Sequence, residues 1–244
     1  MITEKPFTIT ADEATAVIEA ARKHKKVATV FHNRRWDGDF VAIQKIIASG
    51  AIGDVFHVEC AFSNYDAPKA DWWRAYKEVT GSALHDWGAH FVDWILQLLP
   101  HKIESVSGDF KKFKWPQVSI EDFASAYIRF AGGRSASIEA GHVAAIAKSR
   151  WRILGSLGGI EQKGWDMKDG LRVVSHRDGY RSEATVPIGP SDWDGFYRNV
   201  ADHLLLGEPL AVTPESARKV IAVVDFADRS SKQGGAPLPL PFEQ

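Results

Sequence analysis

Residues 122–141 read Asp-Phe-Ala-Ser-Ala-Tyr-Ile-Arg-Phe-Ala-Gly-Gly-Arg-Ser-Ala-Ser-Ile-Glu-Ala-Gly. Successive side chains of a strand point to opposite faces. A strand over 122–130 therefore sets Phe123 and Tyr127 on one side and Ala124 and Ala126 on the other. Gly132-Gly133 supplies the positive φ that a tight reversal requires, and 135–141 resumes the alternation, so the stretch is a β-hairpin. The period of two recurs over 103–110, 151–155, 159–163, 171–175 and 184–187, with Gly158-Gly159 and Asp178-Gly179 at further reversals. This pattern predicts a mostly antiparallel sheet. Neither face of 122–130 is strongly polar, so the outer face of the sheet is expected to be buried against a second copy, giving a homo-oligomer.

Helices flank this region. Thr10-Ala11-Asp12-Glu13 is a capping box, and Ala14, Val17, Ile18 and Ala21 give the helix after it an apolar face ending near Lys25. Residues 27–31 (VATVF) suit one buried parallel strand. Such a strand needs neighbours, and before Thr10 only residues 1–3 can pair with it. Two parallel strands do not make a stable sheet. Residues 1–36 are thus expected to be the tail of a larger α/β domain, with a second domain over 37–244. That second domain begins with a helix over 37–49 (Phe40, Ile43 and Ile47 on one face), a strand over 54–63 and an aromatic loop over 63–79. A helix over 86–99 precedes the sheet; helices over 192–206 and 214–230, the latter with Thr213 as N-cap and Pro214 at N1, and an extended tail over 234–244 close the chain. The predicted class is α+β: a mostly antiparallel, open-faced sheet with helices on one face, preceded by an α/β remnant.

Composition excludes several functions. Net charge is −1 and the basic residues are scattered, which argues against nucleic acid as a partner. No apolar run reaches the ~18 residues of a membrane span, and residues 1–10 lack the apolar core of a secretory signal. The single cysteine, Cys60, fits a reducing compartment, and the cytoplasm is the expected location. Nine tryptophans exceed what the core requires and suggest a pocket or an interface.

Residues 81–90 (GSALHDWGAH) hold the chemistry. Asp86 and His90 stand four apart and share one face of a helix, where a carboxylate and an imidazole can handle a proton. Their plainer roles are a first-turn carboxylate complementing the helix dipole and a satisfied core histidine. His85 with Asp86 and His90 does not suit zinc, because residues five apart lie ~140° round an α-helix; no metal is expected. Trp72, Trp73 and Trp87 suit either packing or stacking on a sugar ring.

Four segments in order resemble the glucose-fructose oxidoreductase / inositol dehydrogenase family, Gfo/Idh/MocA. They are Glu4-Lys5-Pro6 with its capped helix; Asn33-Arg34-Arg35-Trp36; Trp73-Arg74 with Gly81-Ser82 and Asp86-x-x-x-His90; and Glu121-Asp122-Phe123-Ala124 with Gly155-Ser156-Leu157-Gly158-Gly159. The resemblance implies that residues 1–36 are the end of a Rossmann domain. It implies hydride transfer between NAD or NADP and a secondary alcohol or carbonyl of a sugar or cyclic polyol. His90 would be the base, Asp86 would orient its ring or hold the substrate, and Lys5 would donate to the developing alkoxide. Glu4, Lys5, Pro6, Arg34 and Arg74 would lie at the cofactor, and Trp36, Trp73, His85 and Asp86 at the substrate. The sequence departs from the family in one respect: no G-x-G-x-x-G turn, which holds the pyrophosphate, occurs in it. The alternative is therefore a truncated non-catalytic remnant or a sensor-like binding module of the same family.

Overall fold

The computed structural model describes residues 1–241, so the last three residues of the expected tail lie outside the described residues. In chain order it contains β1 (Ile2–Thr3), α1 (Ala11–Lys23) and β2 (Thr29–Val30), then α2 (Gly38–Ala48), β3 (Val55–Ser63) and the single turn α3 (Lys77–Thr80). A π-helical turn, Leu84–Gly88, runs into α4 (Ala89–Leu98). The sheet continues with β4 (Ile103–Lys111), β5 (Phe123–Phe130), β6 (Arg134–Gly141), β7 (Trp151–Gly155), β8 (Gly158–Gln162), β9 (Leu171–Arg177) and β10 (Tyr180–Val186). Helices α5 (Asp194–Leu206) and α6 (Pro214–Lys232) follow. Among the described residues, no helix is long and apolar enough to cross a membrane.

Eight strands form one sheet in the order β10-β9-β8-β7-β3-β6-β5-β4. Its neighbours are antiparallel except β3 and β6, which run parallel. The mostly antiparallel expectation holds. Helices α4 and α6 cover one face, burying Val106, Ile128, Ala136 and Ile153 beneath Trp94, Ile95, Val220 and Val224. The other face corrects the premise of two apolar sides. Across it, Glu59 pairs with Arg152, Glu161 with Arg172 at 3.3 Å and Arg172 with Glu183 at 2.7 Å, so the open face is laced with exposed ion pairs. Phe123 and Tyr127 misled because they sit on β5, whereas the charges sit on β3 and β7 to β10.

The first 36 residues hold no core to themselves. The capping box forms as predicted: the Glu13 N–H donates to the Thr10 hydroxyl at 3.2 Å and the Thr10 N–H to the Glu13 carboxylate at 3.0 Å. Phe7, Ala14, Ile18 and Val30 then pack with Phe196, Val200 and Ile221 of α5 and α6. The Thr29 hydroxyl donates to the Val212 carbonyl at 2.7 Å, tying both ends of the chain together. The strand expected over 27–31 is short. β2 pairs with β1 in parallel over two residues before the chain turns into a 3-10 turn at Asn33–Trp36. Likewise the expected helix over 86–99 is not α-helical throughout, because its first turn is the π turn.

Helix α6 lies close on β4 because Gly108 lacks a side chain. A Cβ there would fall 2.0 Å from the Ala227 carbonyl oxygen, and the Gly108 N–H donates to the Ser230 hydroxyl at 3.0 Å. The obstruction is backbone, which no rotamer change relieves. Gly108→Ala is expected to destabilise the fold by about 2–3 kcal/mol, read as a lower midpoint in urea unfolding.

Candidate active site

The site is built on the segment around Gly81. Gly81 closes α3 with a φ of +88°, and a Cβ there would strike the His85 ring at 2.7 Å. His85 is buried; its Nδ1 accepts from the Ser82 N–H at 2.7 Å and its Nε2–H donates to the Ile9 carbonyl at 2.8 Å. Both nitrogens are thus committed to the fold. The structure does not bring His85 to the pocket, and it is a clamp between the π turn and the N-terminal segment. The Ala83 N–H donates to the Glu121 carboxylate at 3.0 Å, and Lys77 pairs with the same carboxylate, so the Glu121-Asp122 motif anchors the start of the turn. Gly88 lets the wide turn close: a Cβ there would lie 2.8 Å from Leu84 Cβ.

The turn carries Asp86 to Lys5. The Lys5 ammonium donates to the Asp86 carboxylate and, at 3.1 Å, to the Asp86 carbonyl, while Arg74 approaches the same carboxylate at 3.3 Å. Burial pushes the Lys5 pKa down, against the pull of Asp86 in the other direction. Arg34 lies with its guanidinium 4.6 Å over the Trp87 ring, held by Asp37 at 2.9 Å. His90, 5% exposed, sits among Trp87, Trp94 and His32, with ring centroids 5.7 to 6.3 Å away. Its Nδ1 is buried without a hydrogen-bond partner. Desolvation, then the Lys5 charge, hold its pKa well below the ordinary histidine value, so the ring is neutral. Asp86 faces Lys5 and Arg74, and no hydrogen bond joins it to His90.

A cavity of about 540 Å³ opens beside Asp86. Arg74, Trp72 and Trp87 line it together with Asn64 and His142. Trp73 is exposed next to it, with its ring 4.3 Å from the Arg74 guanidinium. Trp36 is placed differently: it meets Phe196 edge-on and closes over Gly195, where a Cβ would lie 2.4 Å from the indole. That makes it a packing residue under α5. Glu4 is exposed, and Pro6 follows Lys5 through a cis peptide bond.

Sequence reasoning passed over Asn64, His142 and Arg150. Arg150 is 1% exposed, pairs with Asp39 at 2.7 Å and Asp37 at 3.5 Å, and lies 3.9 Å over Trp165. It stands just before β7, far in sequence from both carboxylates, so no local spacing announces it.

His32 and His85 share with His90 a pKa lowered first by burial. Below the ordinary histidine value of 6.5 the unfolded chain takes up protons that the folded chain refuses. Their contribution is therefore complete above about pH 6.5 and is lost as pH falls, by up to about 1.4 kcal/mol per pH unit for each histidine. In thermal melts from about pH 6.5 down to about pH 5, His90→Gln should flatten the fall of Tm with acidity.

The GFO/IDH/MocA C-terminal domain model matches residues 40–161, half of the chain. Scyllo-inositol 2-dehydrogenase (NADP(+)) IolW of Bacillus subtilis is 25% identical over 255 residues, spanning 96% of this chain and 70% of that protein. Among solved structures, an NAD-binding protein from Listeria innocua superposes with a TM-score of 0.85 at 24% identity, covering 98% of this chain and 74% of its own. The aldose-aldose oxidoreductase of Caulobacter crescentus, solved with glycerol, shares the fold with a TM-score of 0.81 at 17% identity, covering 98% and 71%. The matched domain and the shared fold agree: this chain belongs to the GFO/IDH/MocA family of oxidoreductases.

Proposed function

We propose that this chain is the substrate-binding and proton-handling part of an NAD- or NADP-dependent oxidoreductase acting on a secondary alcohol of a sugar or cyclic polyol. The observation that carries this reading is Asp86 lining the pocket and paired with Lys5 behind it, near a buried neutral His90 whose Nδ1 has no hydrogen-bond partner. When bound, the nicotinamide supplies the acceptor for a hydride leaving the carbinol carbon. His90 is unprotonated at neutral pH and takes the hydroxyl proton as that C–H bond breaks. Lys5 donates to the same oxygen and stabilises its developing negative charge. Asp86, held by Lys5 and Arg74, offers its carboxylate to a substrate hydroxyl.

The residues present fit the reacting end of a dinucleotide. Glu4, Lys5 and Pro6 would border the nicotinamide, and Arg34 and Arg74 stand within electrostatic range of Lys5 as the cations for phosphate. A phosphate-cradling Gly-rich turn is not among these residues. We read β1-α1-β2 as part of a dinucleotide-binding unit, because two parallel strands joined by a helix are the repeating element of such units. A second reading of these residues is a binding module of the same family without turnover. A homo-oligomer through the open face of the sheet would set this ion-paired surface against its counterpart on a second copy. Raising the salt concentration should then lower the mass seen by light scattering.

The test is reduction of NAD+ or NADP+ by scyllo-inositol and myo-inositol, with the 244-residue chain and with the chain joined to a family member's dinucleotide-binding unit. His90→Ala is expected to lower kcat by about 10²–10⁴-fold with little change in polyol binding. Unchanged turnover overturns the assignment of the base. Polyol binding with no hydride transfer in either form selects the second reading.

A further inference from the structure

The pocket has a second polar wall that the hydride chemistry does not use. β3 and β6 pair in parallel up to Ser63 and Gly141, so the next residues, Asn64 and His142, leave the sheet side by side at the cavity. The main chain of His142 is pinned from two directions: its N–H donates to the Asp122 carbonyl at 2.7 Å, and its carbonyl accepts from the Trp115 indole N–H at 3.0 Å. Asn64 is held equally well, its N–H on the Gly141 carbonyl at 3.1 Å and its carbonyl accepting from Ala144 at 2.8 Å. Between the side chains, Asn64 Oδ1 lies 3.0 Å from His142 Nδ1. An amide oxygen only accepts, so Nδ1 carries the ring proton and Nε2 carries the lone pair. Burial lowers the pKa of this ring, which keeps it neutral. Among the described residues Nε2 has no hydrogen-bond partner, and it is not one of the buried orphan atoms, so it is open to solvent. The fold thus commits three backbone–backbone hydrogen bonds, one from the Trp115 indole and one between the two side chains to presenting a single unused acceptor at the cavity.

We infer that His142 is a specificity residue of this site, whose Nε2 accepts a hydrogen bond from a ligand hydroxyl while Asn64 fixes the ring. The inference rests on the proposed polyol reading and deepens it. An acceptor at this point favours a ring carbon bearing a hydroxyl and rejects a carbonyl or carboxylate there, whose oxygens have no proton to give. Asn64 is a positioning residue, because it acts only through the tautomer and orientation of His142.

Two measurements on the full chain test this. Nitrogen-15 NMR of the imidazole reports the tautomer directly: protonation at Nδ1 and a lone-pair Nε2 are expected, with the Nε2 signal moving when myo-inositol is added. An Nε2–H tautomer overturns the inference whatever the variants do. Binding of scyllo-inositol, myo-inositol and glucose is measured calorimetrically for the wild type, His142→Ala, His142→Gln and Asn64→Leu. His142→Ala is expected to weaken polyol binding about five- to tenfold, the effect of one hydrogen bond. His142→Gln, whose amide oxygen can accept, should recover part of the loss, and Asn64→Leu should show a smaller loss with a mixed tautomer. Equal affinity of wild type and His142→Ala overturns the role of His142 and leaves the polyol reading standing. Failure of the wild type to bind any of the three overturns the polyol reading itself, and this inference with it.

Discussion

A guanidinium buried to one per cent exposure demands partners, and the site is arranged around those that Arg150 finds. Removing a charge from water is costly unless it is paired and hydrogen-bonded, and breaking such a pair commonly costs about 3–5 kcal/mol. Asp39 and Asp37 bring the start of α2 to the strand that follows Arg150. Asp39 also accepts from the Trp151 indole at 2.9 Å, and Asp37 accepts from Trp193 at 2.7 Å and from Arg34 at 2.9 Å. Through Arg34 the network reaches the face of Trp87, and through Trp193 it reaches the start of α5. One buried cation therefore sets where the sheet, α2, α5 and the pocket indole stand relative to one another.

The N-terminal segment is joined to the same body by separate ties. Arg35 forks onto Asp93 of α4 with contacts of 2.9 and 2.6 Å, and the Trp94 indole donates to the Arg34 carbonyl at 2.8 Å. With the His85 clamp on Ile9, these ties place Lys5 against Asp86 across 81 residues of sequence. Lys5 is partly desolvated because the tether leaves it little room, and burial together with the Lys5 charge keeps the His90 ring neutral.

Legibility in the sequence followed the range of the physics. The capping box of α1, the Thr213 N-cap of α6 and the reversals at Gly132-Gly133 and Asp178-Gly179 are local, and they form where the spacing places them, whereas Gly158-Gly159 opens β8 and its turn falls on Ser156-Leu157. Lys5 and Arg74 meet at Asp86, a contact that no local spacing in the sequence announces. His85 could not be told from a ligand, because its clamp partners are main-chain atoms that any sequence possesses. The π turn escaped notice because α-helical periodicity persists on either side of one inserted residue. Trp36 looked like a pocket aromatic, and only the path of α5 shows that it covers Gly195. The polar character of the open face was hidden for a related reason: its charges alternate across strands, whereas the sequence displays them along strands.

The parallel pairing of β3 with β6 has a consequence for how the molecule comes into being. Antiparallel neighbours joined by tight turns find one another quickly, but parallel strands must wait for the intervening chain to be closed into a large loop. Here that loop holds α3, the π turn, α4, β4 and β5, so the cavity wall made by Asn64 and His142 cannot exist until most of the architecture is already in place. Ligand recognition at that wall is thereby a late-maturing property, and a partly assembled chain presents no half-built version of it to the cell.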